Sequence, residues 1–231
     1  MIKRILYISL WIIGVAALIA FEIYAIDQYG KTACDELQIE LINPNKTESL
    51  TSVDELRTEI LQNHLPIEGQ DIKNINLRGV EKNISRISYI DRIDAFVHIN
   101  GNLKIRTSPR KAILRIYNTA EQHFYLGSDT VIMPLSTKHS LRILFANGHL
   151  PQLANSYFNQ SAFEPLQLPD IYKKLYILAA KIQEDDFLKA LIDQIYVKDN
   201  QEFELIPKTG VGLIEFGDIE GLDDKLKRLK I

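Results

Sequence analysis

The residues of this chain whose types could hold a metal or move a proton are five histidines (His64, His98, His123, His139 and His149), the lone Cys34 and the acidic triplet Glu184-Asp185-Asp186. No two histidines stand at H-x-x-x-H spacing, and one cysteine supplies no thiolate set, so neither type forms a zinc pattern. The triplet could meet a cation. Metal sites draw ligands from several elements, however, and carboxylates at the start of a helical pattern also suit the helix dipole, so it reads as a helix start. Lys208-Thr-Gly-Val-Gly212 has the lysine and glycines of a phosphate cradle in the wrong order and lies between two strand patterns, which makes it a hairpin turn. No G-x-S-x-G is present. Asp91, Arg92 and Asp94 flank a strand pattern as charges that keep a sheet edge soluble. Tyrosines and phenylalanines fall on strands at period two, as core packing requires. The chain therefore predicts no catalytic residue, metal or cofactor.

The element that must position everything else is the apolar run 5–26, interrupted only by Ser9, Gly14 and Glu22. As a helix it is roughly 33 Å long, enough for a hydrocarbon core of about 30 Å. Lys3 and Arg4 precede it, while Asp27, Lys31, Asp35 and Glu36 follow. The positive-inside rule then puts the short amino-terminal end in the cytoplasm and the bulk of the chain outside. Tyr7, Trp11 and Tyr24 serve as interfacial anchors, and Glu22 lies near enough to the outer end to reach headgroups. Val15-Ala16-Ala17 loosely fits a signal-peptide cleavage site, but the apolar run continues through Leu18–Phe21 and Ile23–Ile26, so an uncleaved signal anchor is expected over 1–26. A net charge of −3 over 231 residues argues against nucleic-acid wrapping. A single cysteine allows no intramolecular disulfide, so packed cores must supply stability.

Residues 27–35 read as a polar connector. Leu37, Ile39 and Leu41 alternate with polar residues, the period of a strand with one buried face, and Asn43-Pro44-Asn45 breaks it. Ser52 with Glu55 three residues on is a capping box, followed by an apolar stripe of Val53, Leu56, Ile60 and Leu61. Pro66 and Gly69 end that unit. Asn76 caps a second helix carrying Leu77, Val80, Ile84 and Ile87. The period then becomes two: Ile93, Ala95, Val97 and Ile99, the hairpin pair Asn100-Gly101 whose residues both tolerate positive φ, then Leu103, Ile105 and Thr107. This order predicts a three-stranded sheet carrying two helices, with Ile113, Leu114 and Ile116 as its exit, over 36–117. Beyond it, Phe124-Tyr125-Leu126, the turn Gly127-Ser128-Asp129 and residues 131–135 form a hairpin. Residues 141–146 form a strand ending at Asn147-Gly148. Residues 150–170 show no period and read as a surface loop. Leu175, Leu178, Ala179 and Ile182 mark one helix; Phe187, Leu188, Leu191 and Ile192 mark another, opened by Asp185 and Asp186. Residues 202–206 and 211–216 pair as strands, and a last helix spans 219–229.

Strand, helix, helix, strand, strand directly after a signal anchor resembles the POTRA domain. Residues 101–116 are similar to the closing strand and exit of that domain in the bacterial division proteins FtsQ and DivIB: Arg110, Arg115 and Ile116 fit, while Ala112 stands where a proline is expected. Met133-Pro134-Leu135-Ser136, the strand-then-glycine step at Asn147-Gly148, and Ile214-Glu-Phe-Gly217 followed by Lys225-Leu226 and Leu229 continue the resemblance in the same order. The family adds a strand beyond that helix, whereas this sequence ends at Ile231. The resemblance implies an α+β chain: transmembrane helix, POTRA domain (β-α-α-β-β), then a mostly antiparallel β-domain over 118–231 with flanking helices, the family's last strand being either absent or beyond the sequence given. It implies a non-enzymatic divisome scaffold in the bacterial inner membrane at the septum, its bulk periplasmic. Such a scaffold would hold FtsB and FtsL, and through them FtsW and FtsI, by β-augmentation. It places the contact near Val211, Leu213, Glu215 and Phe216, and implies no cofactor, nucleic acid or small-molecule substrate. Two other readings stay open. One is a POTRA-bearing outer-membrane assembly or secretion component, for whose barrel this chain has no room; the other is an anchored extracytoplasmic enzyme with a dispersed site.

Overall fold

The computed structural model describes residues 2–42, 50–63, 67–98, 100–136, 139–158, 168–210 and 212–230, with residues 2, 3, 5 and 6 as backbone alone. The expected features at Asn43-Pro44-Asn45, His64, Pro66, Ile99, Val211 and Ile231 lie outside the described residues, as does the side chain of Lys3.

Helix α1 runs unbroken over Ile2–Gly30, and Tyr7–Gly30 is long and apolar enough to cross a membrane. It outlasts the apolar run by a turn, so the first part of the expected connector is helical. Two contacts hold that turn: Lys31 Nζ reaches Asp27 at 2.5 Å, and the Tyr29 hydroxyl donates to the His98 carbonyl at 2.8 Å. The chain that follows is stitched on by Ile72 N–H to the Thr32 carbonyl at 3.0 Å and Cys34 N–H to the Gln70 carbonyl at 2.8 Å.

The first sheet holds β1 (Leu37–Leu41), β2 (Ile90–Val97) and β3 (Leu103–Pro109) in the order β1-β3-β2, with β1 parallel and β2 antiparallel to β3. Helix α2 (Val53–Asn63) starts on the capping box: Glu55 N–H donates to Ser52 Oγ at 3.3 Å, and Ser52 N–H to Glu55 Oε2 at 3.2 Å. Leu56 and Ile60 are buried, but Val53 and Leu61 remain 38% and 39% exposed. Leu61 lies about 100° around the helix from Ile60, and Val53 sits in the first turn. Helix α3 (Leu77–Ile84) is capped by Asn76, whose side chain accepts from Gly79 N–H at 3.0 Å. At the β2–β3 hairpin only Gly101 takes a positive φ, +91°; Asn100 instead accepts Asn102 N–H through its side chain at 3.1 Å.

The second sheet has seven strands: β4 (Ala112–Tyr117), β5 (His123–Gly127), β6 (Ile132–Pro134), β7 (Phe145–Gly148), β8 (Ile192–Val197), β9 (Phe203–Pro207) and β10 (Ile214–Gly217). Their order is β10-β9-β8-β7-β4-β5-β6. The central β8-β7-β4 pairs are parallel and the outer pairs antiparallel. Hydrogen bonding places β4 here, so the change of sheet falls at Arg110-Lys111, ahead of the expected division after residue 117. Strand β7 starts later than expected and includes Asn147-Gly148. Gly148 takes φ +104°, and a Cβ there would lie 2.2 Å from the Val197 carbonyl oxygen, so only glycine fits. Strand β8 was not expected. Its register shifts between Ile192 and Gln194, so buried Ile192 and Ile195 stand three apart and hide the period of two.

Helix α4 (Asp170–Glu184) buries Tyr172, Leu175, Leu178, Ala179 and Ile182 in the core of this sheet. It is joined by α5 (Asp186–Leu191) and α6 (Leu222–Arg228), the latter through Leu226. Residues 159–167 of the expected surface loop lie outside the described residues, and its described part is not all at the surface: Leu150 and Leu153 are buried, and the Tyr172 hydroxyl donates to the Pro151 carbonyl at 2.6 Å. Burial pushes the Tyr172 hydroxyl pKa up to about 12, against the hydrogen bond from Asn118. The chain is α+β, an apolar helix followed by two mixed sheets with helices.

Candidate partner-binding edge

Two sheets present four edge strands, and the backbone groups of each must bond something. On β1, Leu37 N–H donates to Glu68 Oε1 at 3.2 Å, and Arg57 holds that carboxylate at 3.0 Å. On β2, Ala95 N–H donates to Glu81 Oε1 at 3.0 Å from α3. Strand β6 ends in Pro134, which has no N–H, and its carbonyl accepts the Tyr89 hydroxyl of the first sheet's unit at 3.2 Å. Among the described residues no side chain bonds the backbone of β10. A carboxylate, or a proline with a cross-unit tyrosine, takes up at least one backbone position on each of the other three edges, whereas the backbone of β10 is left open to another strand among the described residues.

The geometry of β10 limits that opening. Leu213 is 50% exposed and Glu215 is exposed. Phe216 is buried in the core, with Lys225 Nζ 5.5 Å over its ring, so of the residues expected at the contact it holds the strand in place. Pairing shifts between Glu215 and Gly217, where Gly217 takes φ +76°, so regular strand is available only up to Glu215. Two lysines brace the neighbourhood. Lys225 Nζ bonds the Asp218 carbonyl at 3.0 Å and its carboxylate at 2.9 Å, and Lys230 bonds Asp185. Those lysines, followed by backbone N–H groups, hold the Asp218 and Asp185 carboxyls below the ordinary 3.8. Asp185 also caps α5, accepting from Phe187 and Leu188 N–H at 3.1 Å, so Asp185 and Asp186 form the expected helix start while Glu184 closes α4.

The two sheets are joined by a contact that no sequence motif signals. Arg110, 3% exposed, donates from Nε to the Ser88 carbonyl at 2.8 Å and from Nη2 to the Ile90 carbonyl at 2.7 Å, and it pairs with Asp129 in the β5–β6 turn. Burial draws its pKa below the usual guanidinium range, partly offset by Asp91. His139 meets Glu55 at 3.1 Å across the same junction. The other described histidines are dispersed: His98 beside Asn100, His123 tilted on Tyr117, His149 edge-on to Tyr196. Among the described residues no three His, Cys, Asp or Glu side chains converge on a metal position. Tyr7, Trp11 and Tyr24 project from α1 at 69%, 73% and 61% exposure, with Arg4 also exposed.

No curated protein matches the chain. The family described as FtsQ/DivIB, C-terminal related matches residues 111–231, beginning one residue after Arg110, where the chain enters the second sheet.

Proposed function

Because the chain belongs to the FtsQ/DivIB, C-terminal related family, a family of non-enzymatic cell-division proteins, we propose that it is a single-pass membrane scaffold of septum assembly. In this reading α1 spans the inner membrane with its amino terminus in the cytoplasm, as the Lys3 and Arg4 bias favours. The three-stranded unit, over roughly 36–110, is a POTRA domain, and the seven-stranded unit holds the division partners FtsB and FtsL and, through them, FtsW and FtsI. The attachment is β-augmentation: a partner strand extends the sheet at β10, backbone hydrogen bonds supply affinity, and Leu213 and Glu215 contribute specificity. Val211, three residues before Ile214 in the sequence, is included in the proposed contact. The observation that carries the proposal is the edge accounting, since among the described residues β10 is the edge whose backbone no side chain bonds.

A proline scan tests it. In a strand, successive N–H groups point to opposite edges, so of Ile214→Pro and Glu215→Pro one breaks the ladder to β9 and the other removes only an outward donor. The expected result is that one variant melts like wild type yet loses FtsB and FtsL on purification of the full-length protein from solubilised membranes. If both variants retain those partners, β10 is not the docking edge.

A further inference from the structure

Glu22 is the one residue inside the apolar run that is charged at neutral pH, on a helix whose residues 7–29 are all exposed. The polar boundary after the run is fixed by Asp27 and Lys31 bonding each other and by Tyr29 bonding His98. Five residues below Asp27, the Glu22 backbone lies about 7.5 Å inside that boundary. Its place near the outer end suggests a reach to the headgroups, but Cα–Cβ bonds in a helix tilt toward the amino terminus and so aim the carboxylate at the bilayer interior instead. A lysine near the opposite end would snorkel outward by the same geometry; an acid near this end is directed inward.

Glu22 also falls within a seam. Ile8, Ile12, Val15, Ile19, Glu22 and Ile26 follow one another at spacings of four and three, the 3.5-residue repeat of helices packed side by side. Every member except Glu22 is β-branched, stiff at χ1 and cheap to order. The opposite side carries Leu10, Ala17 and Tyr24.

Resting on the reading of α1 as membrane-spanning, we infer that the Glu22 seam docks the transmembrane helix of a different protein that presents a lysine, arginine or histidine at the same depth. Charge complementarity selects this occupant. A carboxylate held in hydrocarbon needs a cation or donor, whereas a second copy of α1 in parallel would set two carboxylates against each other.

The test uses full-length protein in its native membrane, with a photo-crosslinking residue at Ile19 on the seam or at Ala17 opposite. Carbonate extraction is done first, and release of the protein would overturn the spanning reading itself. With the protein retained, the expected result is an adduct from Ile19 and none from Ala17, to a protein whose membrane helix carries a basic residue at the depth of Glu22. Its yield should drop about five- to thirty-fold in Glu22→Leu. Glu22→Lys should abolish it, and exchanging the partner's basic residue for glutamate should restore it. An adduct of this chain with itself, a partner lacking that basic residue, equal yields from both faces, no adduct, or an adduct indifferent to Glu22→Leu would each overturn the inference.

Discussion

Replacing Arg110 by methionine tests whether one buried guanidinium fixes the two sheets to each other. Its hydrogen bonds to the Ser88 and Ile90 carbonyls, at 2.8 Å and 2.7 Å, are charge-assisted, the first partly and the second fully buried. Such bonds contribute about 1.5–3 kcal/mol each, so their loss costs roughly 3–6 kcal/mol. Methionine recovers about 1–2 kcal/mol by burying its apolar stem, leaving a net loss near 3 kcal/mol. For a chain of this size that lowers Tm by roughly 6–12 °C. Asp129→Asn separates the hydrogen bonds from the ion pair. The Asp129 side chain is 37% exposed, and an ion pair so open to water contributes at most about 1 kcal/mol. Arg110→Lys keeps the charge without the planar fork and should fall between the two. Thermal unfolding of the full-length protein in detergent, followed by near-ultraviolet circular dichroism, reads all three. A loss below about 1 kcal/mol in Arg110→Met, or an equal loss in Asp129→Asn, would refute the reasoning.

Three further outcomes are expected. Gly148→Ala should cost at least about 2 kcal/mol by urea unfolding, because φ is +104° and the new methyl would meet the Val197 backbone. Ile105→Asp should abolish cooperative unfolding, since Ile105 is 1% exposed in the first core and an unpaired charge there has no partner; a cooperative melt at the wild-type temperature would contradict the assignment. The Asp185 and Asp218 carboxyls are held below 3.8 by lysines and backbone N–H groups. Their stabilisation is therefore complete above the ordinary carboxylate pKa and disappears as pH falls through the lowered folded values. The denaturant midpoint should be flat with respect to these groups from pH 7 to about 5 and fall in more acidic solution, with Asp185→Asn showing less of that fall.

The sequence carried the first sheet almost completely because each of its signals is local. The Ser52–Glu55 box, the Asn76 cap and the alternation of Leu103, Ile105 and Thr107 each depend on residues within one turn or one strand. Reading weakened where a local pattern met a long-range constraint. The β8 bulge puts Ile192 and Ile195 three apart, so no alternation announces the strand and its first residue, Ile192, reads as the end of the helix before it. Leu150 and Leu153 lie in a stretch without periodicity, yet α4 covers them. Ile113, Leu114 and Ile116 alternate well enough to announce a strand, but the alternation cannot say which sheet it joins; pairing with Phe145 and Ala146, about thirty residues on, decides that.

The candidate site was legible only as a region, for the same reason. Val211, Leu213, Glu215 and Phe216 come from resemblance; Val211 lies outside the described residues, and the other three lie in or beside an edge strand, but Phe216 points into the core. An edge becomes a binding edge when its competitors are closed, and the groups that close them are scattered: Glu68 across from β1, Glu81 on α3, Tyr89 reaching Pro134 from the other sheet. None of these has a sequence signature, since a glutamate that caps an edge N–H is indistinguishable in a sequence from one facing water. The same accounting supplies a perturbation that pattern reading would not suggest. Glu81→Ala would free Ala95 N–H and open β2 as a second edge, so it should make the protein self-associate without weakening what β10 holds. A variant that remains as monodisperse as wild type in light scattering would show that the Glu81 carboxylate is incidental to closing that edge.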